Sequence, residues 1–110
     1  MTTGRAFRDL PLDEIQPLIE GGDYHVVDVR EGWEREQGHI PGSRHVVLAA
    51  LLANPAGYSF PDKTIFVCEV GERSAVACEM ACALGVADVV NFRGGHQAWR
   101  RAGLPLETGL

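Results

Sequence analysis

Three short segments of the chain are apolar on consecutive residues, and this feature most restricts the possible folds. A strand with one face in water alternates apolar and polar residues, whereas a strand buried on both faces is apolar throughout. Glycine and aspartate flank these segments, which indicates short strands between turns. The sequence therefore predicts an α/β fold, with a central, mostly parallel sheet and helices on both faces. The strands are expected at residues 26–29, 64–68 and 88–92.

Segments with helical spacing separate the strands. Apolar residues recur at helical intervals over residues 12–20, although Pro17 weakens this pattern because it removes a backbone hydrogen bond. The Ala/Leu-rich segment 46–53 and a short segment near 96–102 are also interpreted as helical. Strands that alternate with helices are typical of an α/β domain.

The longest helical pattern covers residues 73–84 and ends before Gly85, a usual residue at a helix C-terminus. Its spacing places Cys78 and Cys82 on the side away from the apolar stripe. Their Cβ atoms would be roughly 5–6 Å apart, beyond the ~3.5–4.5 Å of a disulfide, so neither is expected to act as a resolving cysteine. The stripe consists of Val76, Ala77, Met80, Ala81 and Leu84.

Length and charge limit the possible classes of protein. The chain of 110 residues accommodates one domain, residues 1–110. A net charge of −5 and a pI near 5.2 argue against a nucleic-acid or anionic-membrane surface, because those partners require a concentrated basic face. The first eight residues lack the apolar core of a secretory signal, and no stretch approaches the roughly 18 apolar residues of a membrane span. Three cysteines in such a chain predict reduced thiols and a cytoplasmic location.

Cys68 ends the second predicted strand and precedes a short loop and a helix. Ligands of parallel α/β domains bind outside the carboxyl ends of strands. A helix N-terminus at the same place offers unpaired N–H groups and the positive end of the helix dipole. Both favour an anion, so we expect this thiol to ionise and act as a nucleophile, with Gly71 letting the loop curl around the sulfur. A buried structural cysteine is the alternative.

The spacing Cys68-x-x-Gly71-x-Arg73-Ser74 resembles the active-site loop of the rhodanese-like domain family. Two further blocks, in the right order, resemble the other signatures of the family, and the resemblance covers about residues 10–107. The first block is Val27-Asp28-Val29-Arg30-Glu31, with Glu34 and Gly38-His39-Ile40-Pro41-Gly42-Ser43 after it. The second is Phe92-Arg93-Gly94-Gly95-His96-Gln97-Ala98-Trp99, followed by Gly103-Leu104-Pro105.

The resemblance implies a five-stranded parallel sheet flanked by helices and a single-domain sulfurtransferase. Cys68 would take a sulfane sulfur from a donor as a persulfide and pass it to a thiophilic acceptor. The donor would be thiosulfate, a persulfide or a polysulfide, and the acceptor a small thiol or a protein cysteine. No metal or organic cofactor is implied. The backbone N–H groups that would bind the persulfide belong to Glu69, Val70, Gly71, Glu72 and Arg73.

Other residues that match the family signatures are interpreted mainly as scaffold. Arg30 could instead face the site and bind substrate. Arg73 could either bind an anionic donor with its guanidinium group or tie the loop to an acid such as Asp28 or Glu31. The residues interpreted as scaffold are Asp28, His39, Gly94, Gly95 and Trp99.

Several residues depart from the family pattern. Glu69 stands where relatives often carry a basic or neutral residue, and with Glu72 it outnumbers Arg73 in the loop. We therefore expect an acidic loop that disfavours the thiosulfate dianion by about 1–2 kcal/mol, compared with less charged persulfides. Arg35 stands where an aromatic residue is common and Ser43 where alanine is common, and both changes are expected to be harmless.

Two other functions stay open for this loop. Cysteine phosphatases and arsenate reductases place an arginine six positions after the cysteine, whereas here the sixth position is Ser74 and Arg73 comes one residue early. The shorter loop favours a single sulfur atom over a tetrahedral oxyanion. The second alternative is a non-catalytic function, either as a persulfide carrier or sensor without turnover or as a protein-interaction module.

Overall fold

The computed structural model describes residues 6–109, so the first five residues of the segment predicted to lack a secretory signal lie outside it. Within this range, five parallel strands form one sheet in the order β1-β5-β4-β2-β3. The predicted α/β fold with a central parallel sheet is confirmed. The strands are β1 Phe7–Leu10, β2 His25–Asp28, β3 Arg44–His45, β4 Thr64–Val67 and β5 Val89–Phe92.

Helices cover both faces of the sheet. The apolar cluster on one face includes residues of α3 and α4, and the cluster on the other face includes residues of α1 and α5. Between residues 6 and 109, no helix is both long and apolar enough to cross a bilayer. The helices are α1 Leu12–Gly21, α2 Gly32–Gln37, α3 Leu48–Ala53, α4 Glu72–Ala83 and α5 Gly95–Arg101, with a 3₁₀ turn at Pro55–Gly57.

The central strand β4 sets the position of Cys68. All four of its residues are buried, as the unbroken apolar run predicts. Successive side chains of a strand point to opposite faces, so Ile65 and Val67 pack in the cluster with α1 and α5, while Phe66 packs in the cluster with α3 and α4. Cys68 continues this alternation and lies on the α4 side.

The predicted apolar stripe of α4 is confirmed at Ala77 and Ala81, which are fully buried, but is wrong at two of its larger residues. Val76 and Leu84 are 39% and 40% exposed, whereas Cys78, predicted to lie away from the core, is fully buried. A face of small side chains lets the helix lie close against β4 and β5, and this close packing outweighs the burial of two larger residues. The buried face consists of Ser74, Ala77, Cys78 and Ala81.

Three elements have no counterpart among the predicted segments: the edge strands β1 and β3 and the short helix α2. Phe7–Leu10 carries two charged residues and Arg44–His45 is only two residues long, so neither shows a continuous apolar run. The predicted helix at 12–20 is confirmed as α1, which continues through Pro17. Burial of Ile15 against the sheet compensates for the lost backbone hydrogen bond.

Candidate active site

The sulfur of Cys68 lies at the N-terminus of α4. The backbone N–H of Gly71 donates to Sγ at 3.1 Å, and that of Ser74 donates at 3.3 Å. The Ser74 hydroxyl is also 3.3 Å from Sγ. Cys68 is only 1% exposed, but its side chain points towards these amides rather than away from them. The sulfur thus takes the place of an N-terminal capping acceptor, a position that stabilises negative charge.

The loop is curled at Gly71, as the sequence predicts. Its φ of +92° is a left-handed conformation, and a Cβ there would overlap the carbonyl oxygen of Arg93. The Asn91 amide donates to the Gly71 carbonyl at 3.2 Å, which fixes this bend from β5. Of the five predicted amides, that of Gly71 binds Sγ in the structure, and Ser74 supplies an amide outside the predicted range.

The start of α5 orients the peptides that follow Cys68. The backbone N–H of His96 donates to the Cys68 carbonyl at 2.9 Å, and that of Gln97 donates to the Glu69 carbonyl at 3.0 Å. In a trans peptide the C=O and the next N–H point in opposite directions. The N–H groups of Glu69 and Val70 therefore point away from α5 and are not used up by it.

The imidazole of His96 supports the same carbonyl from within the core. Burial, followed by the charge of Arg30, lowers the pKa of His96 to about 4, so the ring is neutral at physiological pH. Its Nδ1 donates to the Cys68 carbonyl at 3.0 Å, and Nε2 accepts the N–H of Ile40 at 3.3 Å. His96 is thus a positioning residue for the loop.

Arg30 connects a buried carboxylate to a pocket that Glu69 of the loop also lines. Asp28 is fully buried; this burial acts to raise its pKa, but hydrogen bonds from Arg30 and the nearby charges lower it overall. Arg30 donates to both oxygens of Asp28 at 3.0 Å and to the Gly38 carbonyl at 2.8 Å. Its Nη1 lies 3.3 Å from Glu69 Oε1, at the pocket. Arg30 therefore supports the scaffold and also lines this pocket, and its contact with substrate stays a prediction.

Arg73 is tied to an acid, but not to either acid named from the sequence. Both of its terminal nitrogens donate to Glu34, at 2.7 and 2.9 Å, instead of to Asp28 or Glu31. Glu34 also accepts the N–H of Glu31 in a capping box at the start of α2, which holds it in place. This contact raises the pKa of Arg73 and lowers that of Glu34.

The loop is not simply acidic, because Glu69 has cationic partners. Arg100 of α5 donates to the Glu69 carboxylate at 2.9 and 3.3 Å, and Arg30 donates to it from the other side. These contacts, led by that with Arg100, lower the pKa of Glu69. The pocket contains equal numbers of arginines and glutamates, so the charge of Glu69 is compensated, whereas Glu72 is exposed and lies outside the pocket. The expected disadvantage of thiosulfate stays a prediction. The residues that line the pocket are Arg30, Trp33, Glu34, Gln37, Glu69 and Arg100.

The remaining scaffold interpretations agree with the geometry. His39 is buried, and its Nδ1 is 3.0 Å from the Arg35 carbonyl oxygen. Trp99 packs in the core against Phe92. A Cβ on Gly95 would overlap the carbonyl oxygens of Cys68 and Glu69, so this glycine permits the close approach of α5 to the loop.

Cys78 and Cys82 are free thiols with no place in the site. Burial raises the pKa of both, and Cys78 is fully enclosed in the core. A thiol held protonated is a poor nucleophile. That neither acts as a resolving cysteine stays a prediction.

Besides Glu34, the acid that binds Arg73, four residues that contact the Cys68 loop were given no role from the sequence. Ser74 was part of the quoted motif, but its hydroxyl and amide received no role. Of the other three, one lies in β5 and two lie in α5, which follows it. Strand β5 is the neighbour of β4 in the sheet. Since parallel strands end at the same edge, residues after β5 could have been placed beside Cys68 once the strand order was known. They are Asn91, His96 and Arg100.

Comparison with known proteins gives one consistent result. The sequence model of the rhodanese-like domain family matches residues 11–102. The mouse thiosulfate sulfurtransferase/rhodanese-like domain-containing protein 3 is 33% identical over 100 residues, which cover 78% of this chain and 64% of that protein. Thiosulfate sulfurtransferase GlpE of Pseudomonas putida is 30% identical over 102 residues, 93% of this chain and 92% of that protein.

A solved structure shows the same fold. The rhodanese-related protein of Thermoplasma volcanium is 29% identical and superposes with a TM-score of 0.80, over 93% of this chain and 99% of that one. The family match covers most of the described residues, including the loop around Cys68 and the start of α5 that supports it. The chain belongs to the rhodanese-like domain family.

Proposed function

We propose that this protein is a sulfurtransferase that carries sulfane sulfur as a persulfide on Cys68. The observation that carries the proposal is the pair of backbone N–H groups, from Gly71 and Ser74, directed at Sγ from the start of α4. Such donors stabilise a thiolate, and they can equally stabilise a persulfide anion one atom longer. The names of the relatives support the same activity.

The reaction would proceed in two displacements. The Cys68 thiolate attacks the outer sulfur of the donor, and an Sγ–S bond forms as the S–S bond of the donor breaks. The leaving group departs with the electron pair, as sulfite from thiosulfate or as a thiolate from a persulfide. An acceptor thiolate then attacks the outer sulfur, and the bonding pair returns to Cys68. No external oxidant or reductant is needed.

The free N–H groups of the loop fit the intermediate. In the persulfide state, the N–H groups of Glu69 and Val70, turned away from α5, would bind the outer sulfur. The amide of Gly71 would continue to bind Sγ. Those of Glu72 and Arg73 would contribute through the positive end of the α4 dipole. Arg30 would act from the pocket side on the charged part of a substrate.

The physiological partners would be a small-molecule or protein sulfur donor and a thiol acceptor. Cytoplasm is the proposed compartment, because free thiols at Cys68, Cys78 and Cys82 fit a reducing environment. A phosphatase is not favoured, because Glu34 engages both terminal nitrogens of Arg73 and leaves this guanidinium without a free pair of donors for a phosphate.

A persulfide carrier without turnover is a second candidate, favoured by one observation. Cys68 is 1% exposed and does not line the adjacent pocket. An enclosed persulfide would be stored rather than passed on. Steady-state transfer of sulfur to cyanide or to a thiol separates the two, since a carrier loads once and stops.

The test of the proposal is intact mass spectrometry after exposure to thiosulfate or to a low-molecular-weight persulfide. We expect the wild type to gain the mass of one sulfur atom and Cys68→Ser to gain none. Cys82→Ser is the matched control, because it removes a partly accessible thiol outside the site and should load as the wild type does. Sulfur on Cys68→Ser, or an unloaded wild type with every donor, would refute the proposal.

A further inference from the structure

The pocket beside Cys68 contains a carboxylate held between two guanidinium groups. Glu69 accepts N–H groups from Arg100 at 2.9 and 3.3 Å and from Arg30 at 3.3 Å. Glu69 directly follows the nucleophilic cysteine in the sequence. An anion at the position of this carboxylate would therefore lie at the start of the Cys68 loop, although Cys68 itself does not line the pocket.

The two arginines differ in how firmly they are held. Arg30 is buried, and its Nε and Nη2 are occupied by Asp28 and Gly38, so its Nη1 is presented to the pocket in a fixed position. The side chain of Arg100 is 47% exposed at the C-terminal end of α5. A fixed and an adjustable guanidinium together can fit oxyanions of different shape.

We propose that Arg30 and Arg100 form a binding site for the oxyanion group of a sulfur substrate, and that Glu69 occupies this site when no substrate is bound. The ligand chemistry is a sulfonate or a carboxylate, as in thiosulfate or in a small thiol that carries a carboxylate. The identification of the ligand as a substrate rests on the proposed sulfurtransferase function. The existence of the anion site does not depend on that function.

Glu69 is suited to be displaced. Its side chain is 29% exposed, and its contact with Arg100 is an ion pair at the surface, which contributes little net stability. The second glutamate of the pocket, Glu34, is already engaged by Arg73 and cannot take over Arg100's charge without losing that contact. An incoming anion therefore competes mainly with one weakly held carboxylate.

This arrangement gives Glu69 a definite effect on substrate choice. It does not repel anions in general, since its charge is compensated. Glu69 competes with anions for the N–H groups of Arg30 and Arg100. The effect of Glu69 on anion binding therefore depends mainly on Arg100, which makes two of its three contacts. A substrate without an anionic group would gain nothing from the two arginines and would be indifferent to Glu69.

The first test measures sulfate binding to the full chain by NMR titration, at constant ionic strength and in a Cys68→Ser background. Removing the competing charge by Glu69→Gln should tighten sulfate binding by about three- to ten-fold. Arg100→Gln should weaken it, and in that background Glu69→Gln should bring a smaller gain, because only the Arg30 donor is then released. Glu79→Gln and Arg101→Gln are the matched controls, because they make the same charge changes at exposed positions outside the pocket.

Unchanged sulfate affinity in Glu69→Gln would overturn the proposal. A gain of the same size without Arg100 would also overturn it, because the effect would then be one of general charge. Sulfate binding needs no sulfur transfer, so this test is independent of the proposed activity. Circular dichroism of each variant confirms that the fold is intact.

The second test identifies which substrate brings the anion. KM is measured for thiosulfate as donor, and for mercaptoacetate and uncharged mercaptoethanol as acceptors, in wild type and Glu69→Gln. A lower KM for thiosulfate assigns the site to the donor, and a lower KM for mercaptoacetate assigns it to the acceptor. An equal change for mercaptoethanol, or a constant KM for both anions, overturns the assignment to a substrate.

Discussion

At the scale of residues, the buried carboxylate of Asp28 organises the polar groups behind the site. It accepts hydrogen bonds from Arg30 and a longer one, at 3.4 Å, from Arg35. Arg35 in turn donates to the hydroxyl of Ser43 at 3.1 Å and to its carbonyl at 2.7 Å. The two departures from the family pattern at Arg35 and Ser43 are therefore partners. A buried arginine needs such acceptors, because an unpaired buried charge is costly.

This pairing predicts a coupled effect on stability. Ser43→Ala should lower the free energy of unfolding by about 1–2 kcal/mol, because a buried N–H of Arg35 loses its acceptor. In an Arg35→Met background the same substitution should cost less, because only the hydrogen bond from the Ser43 hydroxyl to the Ile40 carbonyl is then lost, and that carbonyl keeps the Ser43 N–H. Urea denaturation of the wild type, both single variants and the double variant at pH 7 measures the coupling. Additive losses would show that the two positions act independently.

At the scale of elements, the site is built where β4 and β5 end and α4 and α5 begin. The first amides of α4 bind Sγ, while those of α5 bind the carbonyls of Cys68 and Glu69. Gly95 allows this second contact. Its φ is +60°, and a Cβ at this position would overlap backbone atoms of the loop, which cannot move aside as a flexible side chain can.

Gly95→Ala should therefore damage function more than stability. We expect sulfur transfer to fall by about ten-fold or more, because small displacements of catalytic groups are costly. The free energy of unfolding should fall by about 2–3 kcal/mol from backbone strain and the displaced loop. Gly103→Ala is the matched control: it lies just beyond α5 with φ +71°, and no atom is within 4 Å of its Cβ position. It should lose about 1 kcal/mol and keep its activity. Equal activities in the two variants would contradict the role given to Gly95.

The sequence identifies the centre of this arrangement better than its edges. Continuous apolar runs mark β2, β4 and β5, because both faces of these strands are buried. The edge strand β1 has two adjacent charged residues at its centre, and β3 is too short to carry a pattern. Cys68 and Gly71 are recognisable because their roles depend on local chain order. Arg100 and His96 are not, because their contacts with the loop come from the strand order in space.

At the scale of the whole molecule, the sheet lies between two helical layers. Several polar side chains are buried between these layers together with the apolar core. Asp28, His96 and Asn91 are all buried near the strand ends that form the site. Asp28 is stabilised as an anion by arginines, and His96 is held neutral by burial. Asp28 and His96 take up protons over different ranges of pH. The free energy of unfolding should therefore already change above the pH range in which carboxylates are protonated.

His96 makes the molecule sensitive to mild acid. Its pKa is about 4 in the fold, against ~6.5 in an unfolded chain, so the unfolded state binds the extra proton between these values. Stability from this group is complete above pH 6.5 and decreases as the pH falls, by about 2 kcal/mol at pH 5. The charged groups that face the ring are Arg30, Asp28 and Glu69. The pKa values of both carboxyl groups are lowered by their hydrogen bonds and by the nearby charges, so both acids are mainly ionised in the fold at pH 5.

Urea denaturation at pH 7.5, 6 and 5 checks this expectation. His96→Gln should be less stable at pH 7.5 but should lose about 2 kcal/mol less than the wild type on going to pH 5. His25→Gln is the control: burial also lowers the pKa of this half-buried histidine, so its effect on the slope should be in the same direction but smaller. If His96→Gln is too unstable to compare, NMR titration of the wild-type ring serves instead and should show no protonation above pH 5. Parallel stability curves, or a ring that titrates near pH 6.5, would mean that His96 is not held neutral by the core.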